Sequence, residues 1–250
     1  MAIGPEFTLA GYECILSKIV EAGYDCVLVS ELNKRDVPRP SIVLRHDVDF
    51  SMDHALRIAE VEARWGLKST FFVMLRSPMY NLWSRQNTRF LAAIRDLGHE
   101  VGLHFDAAFA DELPFDLEAV LAREVEALEV LGDFEVKSYS FHQPSASILS
   151  QAVKFRSLIN TYDTQVFRGF EYISDSNMDW RGKNIFDFLH NRINVQLLTH
   201  PMWWVAEGRT SMDCWDETII KNFTNEQRQI LQTERAFGTR RQLFISREGD

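Results

Sequence analysis

The chain has 250 residues, 46% hydrophobic and 25% charged, close to the soluble globular average, which excludes wholesale disorder. Its 27 Lys and Arg against 36 Asp and Glu give a formal net charge of −9. With no basic run either, nucleic acid and anionic membranes are poor candidates for the main partner.

Leu9, Tyr12, Ile15, Leu16, Ile19 and Val20 recur at helical spacing, and Gly23 can end that helix. The run Ile42-Val43-Leu44 reads as a strand leading into Arg45-His46-Asp47-Val48-Asp49. Ser51 can cap a helix carrying Leu56, Ala59, Ala63 and Trp65, stopped at Gly66. Ser69 to Met74 is a strand rich in aromatic and β-branched residues. Phe90, Leu91, Ile94 and Leu97 mark a helix closed by Gly98, and His99 to Phe105 the next strand. A helical stripe from Val120 to Leu131 ends before Gly132. Lys137 to His142 is a strand, Ser147 to Phe155 a short helix, and Leu158–Tyr162 and Glu171–Ser174 two more short strands. Ile193 to Pro201 is the last strand, and a helix over Asp216 to Phe237 is expected outside the sheet. Strands alternating with helices imply parallel βαβ units, and about seven of them suggest a barrel. Cys14, Cys26 and Cys214 are odd in number and lack CxxC spacing, so they read as buried small hydrophobes. Met1 to Phe7 lack the features of a signal peptide and read as a cloning remnant. No apolar stretch reaches the roughly 18 residues of a membrane span. The expectation is one cytoplasmic domain over residues 8–250.

The polar residues fall at strand ends. Asp47 and Asp49 follow the first core strand, His104 and Asp106 the strand through Leu103, His142 ends another, and His200 the last. In parallel α/β folds these ends share one face, and that face carries the active site. Asp47 and Asp49, two residues apart, share a side of their strand. Mixed His and Asp ligation suits one divalent ion, with Zn²⁺ first and Co²⁺, Ni²⁺ or Fe²⁺ as alternatives.

Five ordered motifs over about residues 40–204 resemble the polysaccharide deacetylase superfamily (NodB homology, carbohydrate esterase family 4), in a subgroup carrying Arg-His-Asp-Val-Asp. Leu44 to Asp49 resembles its Thr-Phe-Asp-Asp motif, and Lys68 to Val73 the following Ala-Thr-Phe-Phe-Val strand. Gly98 to His104 resembles Gly-His-Glu-Ile-Gly-Asn-His. Phe141 to Ser145 occupies the place of Arg-x-Pro-Tyr, and Leu197 to Pro201 resembles Leu-x-x-His-Pro. A weaker sixth match is Asp175-Ser176-Asn177-Met178-Asp179-Trp180. Three features depart: the family's second metal histidine is Ala108 here, His142 stands where the third motif has Arg, and Val48 separates the two aspartates.

The resemblance implies an irregular (β/α)7 barrel and metal-assisted removal of an acetyl or formyl group from an amino sugar, or from a nucleotide- or lipid-linked sugar, in surface-polysaccharide assembly. Asp49, His104 and His142 would be the metal ligands, with Asp106 competing for the vacancy at Ala108. Asp47 would be the base and His200 the acid that protonates the leaving amine. Arg181 and Arg168 are expected to moderate Asp47, and a backbone N–H near the third motif to help the metal stabilise the oxyanion. Asp179 and Trp180 are divided between support of the site and packing, and Trp203 and Trp204 between stacking on a sugar and closing the barrel mouth. His46 is expected in the barrel wall, His99 in a structural place, and His54, His190 and the Glu124/Glu126/Glu129 cluster in solvent. A catalytically inactive binding relative, or a hydrolase of another carbon–nitrogen bond, is the competing reading.

Overall fold

Local signals place the elements in the computed structural model, which describes residues 4–33, 37, 40–108, 116–150, 155 and 157–234. Residues 1–3, 151–154 and 235–237, included in the expected remnant, short helix and tail helix, lie outside the described residues. Helix α1 (Leu9–Glu21) starts where Thr8 accepts the Gly11 N–H, and it buries Tyr12, Ile15, Leu16 and Ile19. Strands β1 (Asp25–Cys26) and β2 (Ser41–Val48) precede α2 (Met52–Arg64), capped by Ser51 as expected. There follow β3 (Thr70–Val73), α3 (Arg85–Asp96), β4 (Glu100–Asp106), α4 (Leu117–Gly132) and β5 (Ser138–His142). The second half holds α5 (Ala146–Ser150), β6 (Ile159–Asn160), β7 (Glu171–Ser174), α6 (Ile185–His190) and β8 (Val195–Thr199). Helices α7 (Pro201–Val205) and α8 (Ser211–Thr233) close the described chain. Helix α8 begins five residues earlier than expected because Thr210 and Asp213 form a capping box. The left-handed residue ending α4 is Asp133, at φ 51°, rather than Gly132.

All strand pairs are parallel, in the order β6-β5-β4-β3-β2-β8-β7 with β1 beside β2. This is the expected (β/α)7 barrel, left open between β6 and β7. All eight residues of β2 are buried, as a central parallel strand requires. Alternation sends Ile42, Leu44 and Val48 to the helix-packed core and Val43 to a second cluster with Val27, Val29, Leu32, Phe72, Ile159 and Phe167. That second cluster plugs the barrel at the N-terminal ends of its strands, leaving the C-terminal ends open. Gly102 belongs to this packing, since a Cβ there would stand 2.5 Å from the Phe72 ring.

Three surface expectations are corrected. His54 is buried on the inner side of α2, with Lys221 of α8 at 3.4 Å from its Nε2, and burial pushes it down to about 4. Glu124 is buried and paired with Arg76 at 2.5 Å, while Glu126 is exposed. Of the cysteines, Cys14 is exposed, Cys26 half-buried and Cys214 buried. Helix α8 packs outside the barrel as expected, where Lys221 pairs with Asp53 at 2.7 Å and Asn222 donates to the Phe50 carbonyl. No helix among the described residues is long and apolar enough to cross a membrane.

Candidate active site

The C-terminal ends of β2, β4, β5 and β8 bring Asp47, Asp49, His104, His142 and His200 around one cavity of about 520 Å³. The short parallel strands do this because each polar residue is the last or nearly the last of its strand.

Asp49, His104 and His142 form the one group among the described residues with the geometry to hold a metal. Asp49 Oδ1 lies 3.0 Å from His104 Nε2 and 3.3 Å from His142 Nδ1, and the two ring nitrogens are 3.2 Å apart. Ligands at the ~2.0–2.1 Å bond lengths of a zinc-type ion stand roughly 3.0–3.4 Å from one another, so the three atoms already have the spacing of a coordination face. Oδ1 is buried, and these contacts do not direct a hydrogen bond onto it. Three such atoms held this close need a cation or a proton among them, and their spacing fits a divalent ion. Burial pushes the Asp49 carboxyl up, but the contacts with His104 and His142 outweigh it and hold it well below its ordinary range. Asp106, the rival ligand, turns its Oδ1 to the Ala108 N–H at 3.1 Å instead.

Asp47 is clamped by its strand neighbour. Arg45 donates through Nε to Oδ1 at 3.0 Å and through Nη2 to Oδ2 at 2.8 Å, and Ser140 of β5 contacts both partners. The guanidinium is fully buried, 5.5 Å from the Phe72 ring centre and 5.2 Å from that of Tyr162. Burial raises the Asp47 carboxyl, and Arg45 with His104 overrides it, so Asp47 stays ionised below its ordinary value. The expectation for Arg181 and Arg168 is thereby corrected. Both are exposed, and the cation sits two residues before Asp47 on β2, facing the same way.

His200 is oriented by Asp175, which follows β7. Its Nδ1 lies 2.6 Å from Asp175 Oδ1, its backbone N–H donates to the same carboxylate at 2.9 Å, and Trp204 Nε1 donates to Oδ2 at 2.8 Å. That leaves Nε2 toward the site, 3.8 Å from Asp49 Oδ2. Burial pushes His200 down, but Asp175, and then Asp49 and Asp47, carry it up to about 9. A raised folded-state value means stability that is fully present below pH 6.5 and lost as pH rises through about 9. In the metal-free protein, Asp175→Asn should therefore bring the imidazole midpoint of His200 down toward 6.5 and remove that alkaline loss. Proton NMR titration checks this, and an unmoved midpoint would assign the shift elsewhere.

The remaining residues divide clearly. Asp179 is exposed and accepts the Arg181 backbone N–H at 2.8 Å, so it shapes a turn rather than the site. Trp180 is buried, 5.6 Å from Phe7 and 5.9 Å from Trp204, which makes it packing. Trp204 joins that cluster, whereas Trp203 lines the cavity and packs near Phe50 and His200. Arg181 lines the cavity rim at φ 51°. Sequence reasoning gave no role to Arg45, Asp175, Tyr162 or Tyr172. The signals available were the Arg before His46-Asp47 and the first, rather than the second, Asp of the Asp-rich motif.

No family model matches the chain, and no curated protein does. Among solved structures it is similar to a CE4 family pseudoenzyme from Bacillus anthracis, of which a mutant with restored enzymatic activity was also solved. The mutant is 19% identical at a TM-score of 0.41, over 76% of this chain and 64% of that one, so the chain spans less than two-thirds of that relative. It is also similar to the Streptococcus pyogenes deacetylase PplD, at 10% identity and TM-score 0.46, over 83% and 85% of the two chains. The Bacillus subtilis peptidoglycan deacetylase PdaC aligns at 17% identity and TM-score 0.45, over 81% of this chain and all of that one. These three solved structures are thus a CE4 family pseudoenzyme and two deacetylases.

Proposed function

We propose that the protein is a metal-dependent hydrolase of the polysaccharide deacetylase superfamily that removes an N-acyl group, acetyl or formyl, from an amino sugar or sugar conjugate. The observation that carries this reading is the convergence of Asp49 Oδ1, His104 Nε2 and His142 Nδ1 within 3.3 Å of one another, between an ionised Asp47 and a protonated His200. Two titratable groups pushed in opposite directions in one cavity are what separate base and acid duties require. His142 supplies the third ligand that Ala108 does not, which favours an active enzyme over an inactive relative.

Asp49, His104 and His142 would hold the ion, which when bound supplies Lewis acidity that polarises the amide carbonyl and makes water a better nucleophile at neutral pH. Asp47 accepts the proton of the water as its oxygen adds to the carbonyl carbon. Arg45 keeps that carboxylate ionised until then and fixes its plane. As the carbon–nitrogen bond breaks, His200 Nε2 gives its proton to the departing amine, which would otherwise leave as an amide anion. Asp175 holds the Nδ1–H throughout, so that Nε2 is the nitrogen that donates. Tyr162, Tyr172 and Trp203 offer the aromatic and hydroxyl surface suited to a pyranose. The motif resemblance supports a surface-polysaccharide setting.

Metal analysis with acetate and formate assays on N-acylated amino sugars tests the reading. The protein should take up one divalent ion and release the acid, and His104→Ala should abolish both. No uptake by the unmodified protein would sink it, and uptake without acid release would favour the competing readings, an inactive relative or a hydrolase of another carbon–nitrogen bond.

A further inference from the structure

Behind the site, on the helix side of the sheet, lies a second polar cluster that the mechanism does not use. Glu62 of α2 is fully buried. Its Oε1 accepts from Tyr12 of α1 at 2.6 Å and lies 2.9 Å from His46 Nε2, while its Oε2 accepts from Ser69 at 2.5 Å with His99 Nδ1 at 3.6 Å. One carboxylate therefore joins α1, α2, β2 and the chain entering β3. The other nitrogen of His46, Nδ1, lies 2.7 Å from Thr199 Oγ1.

His46 and Thr199 are direct partners in the β2–β8 register. Each is followed at once by a residue of the site, Asp47 and His200. Because side chains alternate across a strand, the chain Glu62–His46–Thr199 lies on the opposite side of the sheet from Asp47. A buried carboxylate is a poor way to gain stability, since well-packed apolar side chains often do as well; what it adds is a directional link that specifies one register.

We infer that Glu62, acting through His46 and Thr199, is a positioning residue that sets β2 against β8 and so fixes the base relative to the acid. This rests on the reading of Asp47 and His200 given above. Misplacing a catalytic group by about 1 Å costs up to about 100-fold in rate, so a loosened register should show in turnover before it shows in binding.

The experiment measures kcat and KM for N-acyl release, with thermal melting and Co²⁺ uptake, for the unmodified protein, Thr199→Val, Thr199→Ser, Glu62→Gln and the Glu62→Gln/Thr199→Val double variant. Thr199→Val exchanges the hydroxyl of a buried side chain for a methyl, removing the His46 contact and leaving Glu62 its other partners. The expected result is a cooperative melt and full Co²⁺ uptake with kcat about 10- to 100-fold lower, KM unchanged, and recovery in Thr199→Ser. The double variant should be no slower than the slower single variant, because both cut the same chain. If Glu62→Gln does not fold, Thr199→Val and Thr199→Ser decide alone. Unchanged kcat in Thr199→Val, or a loss that Thr199→Ser does not restore, overturns the inference while leaving the enzyme reading intact. An unmodified protein without activity or metal overturns that reading, and the inference with it.

Discussion

Asp47→Asn lowers kcat by about 10²- to 10⁴-fold while leaving metal uptake intact, which is the loss expected when a positioned general base is removed. The substitution keeps the shape of the side chain, and an amide oxygen can still accept one hydrogen bond from Arg45, but it leaves that guanidinium buried without its counter-charge, so the rate is compared on variant protein that melts cooperatively. The ligand atoms of Asp49, His104 and His142 do not include Asp47, whose Oδ2 is 3.7 Å from His104 Nε2. Two measurements separate the roles: titration with Co²⁺ or Zn²⁺, and the rate of acid release on the loaded variant. Loss of metal in Asp47→Asn would make Asp47 a ligand and leave the base unassigned. A rate within a few-fold of the parent would remove it from the chemistry altogether.

Arg45→Met should destabilise the fold by about 3–5 kcal/mol near neutral pH, the usual cost of removing one partner from a buried ion pair. Arg45 is fully buried and Asp47 nearly so, and the two share a bidentate contact at 3.0 and 2.8 Å. Burial alone would push the carboxyl up, and Arg45 is the strongest of the opposing groups that bring it down. The sign in pH follows from that. In the parent, the depressed Asp47 value contributes stability above about pH 3.9, the ordinary Asp value, and this is lost as pH falls through the lower folded value. In Arg45→Met the burial of Asp47 is no longer offset, so its value rises and the variant's deficit shrinks as acid protonates it. Urea unfolding at pH 7 and pH 5 checks this: the gap between parent and variant should be larger at pH 7. An equal gap at both would mean that Arg45 acts through its packing on Phe72 and Tyr162 rather than through its charge. The acidic limb of the activity profile should also move upward in the variant.

The same pair shows where sequence reading ran out. Alternation along β2 is a local property, so it correctly put Asp47 and Asp49 on one side of the strand. Applied two residues earlier, it would have put Arg45 there too. An arginine inside a barrel is the less common outcome, however, and loop cations such as Arg181 and Arg168 are the commoner expectation. Asp175 escapes local pattern for a related reason. Two aspartates four apart in one irregular segment carry no periodicity to tell them apart. Only the packing of Trp204 and the end of β8 selects the first to orient His200.

What the sequence by itself determined is the order of strands and helices, the strand ends that carry Asp47, Asp49, His104, His142 and His200, and hence the face that bears the site. Those follow from side-chain periodicity and from capping and turn residues, whose reach is a few positions along the chain. The tertiary structure decided which polar side chains are paired and which are wet. Glu124 meets Arg76 from 48 residues away, His54 is covered by Lys221 of the last helix, and Glu62 draws in His46 and Tyr12. A charge is stable in the interior only beside a partner, and such partners arrive from elements far apart in sequence, so no local pattern contains them.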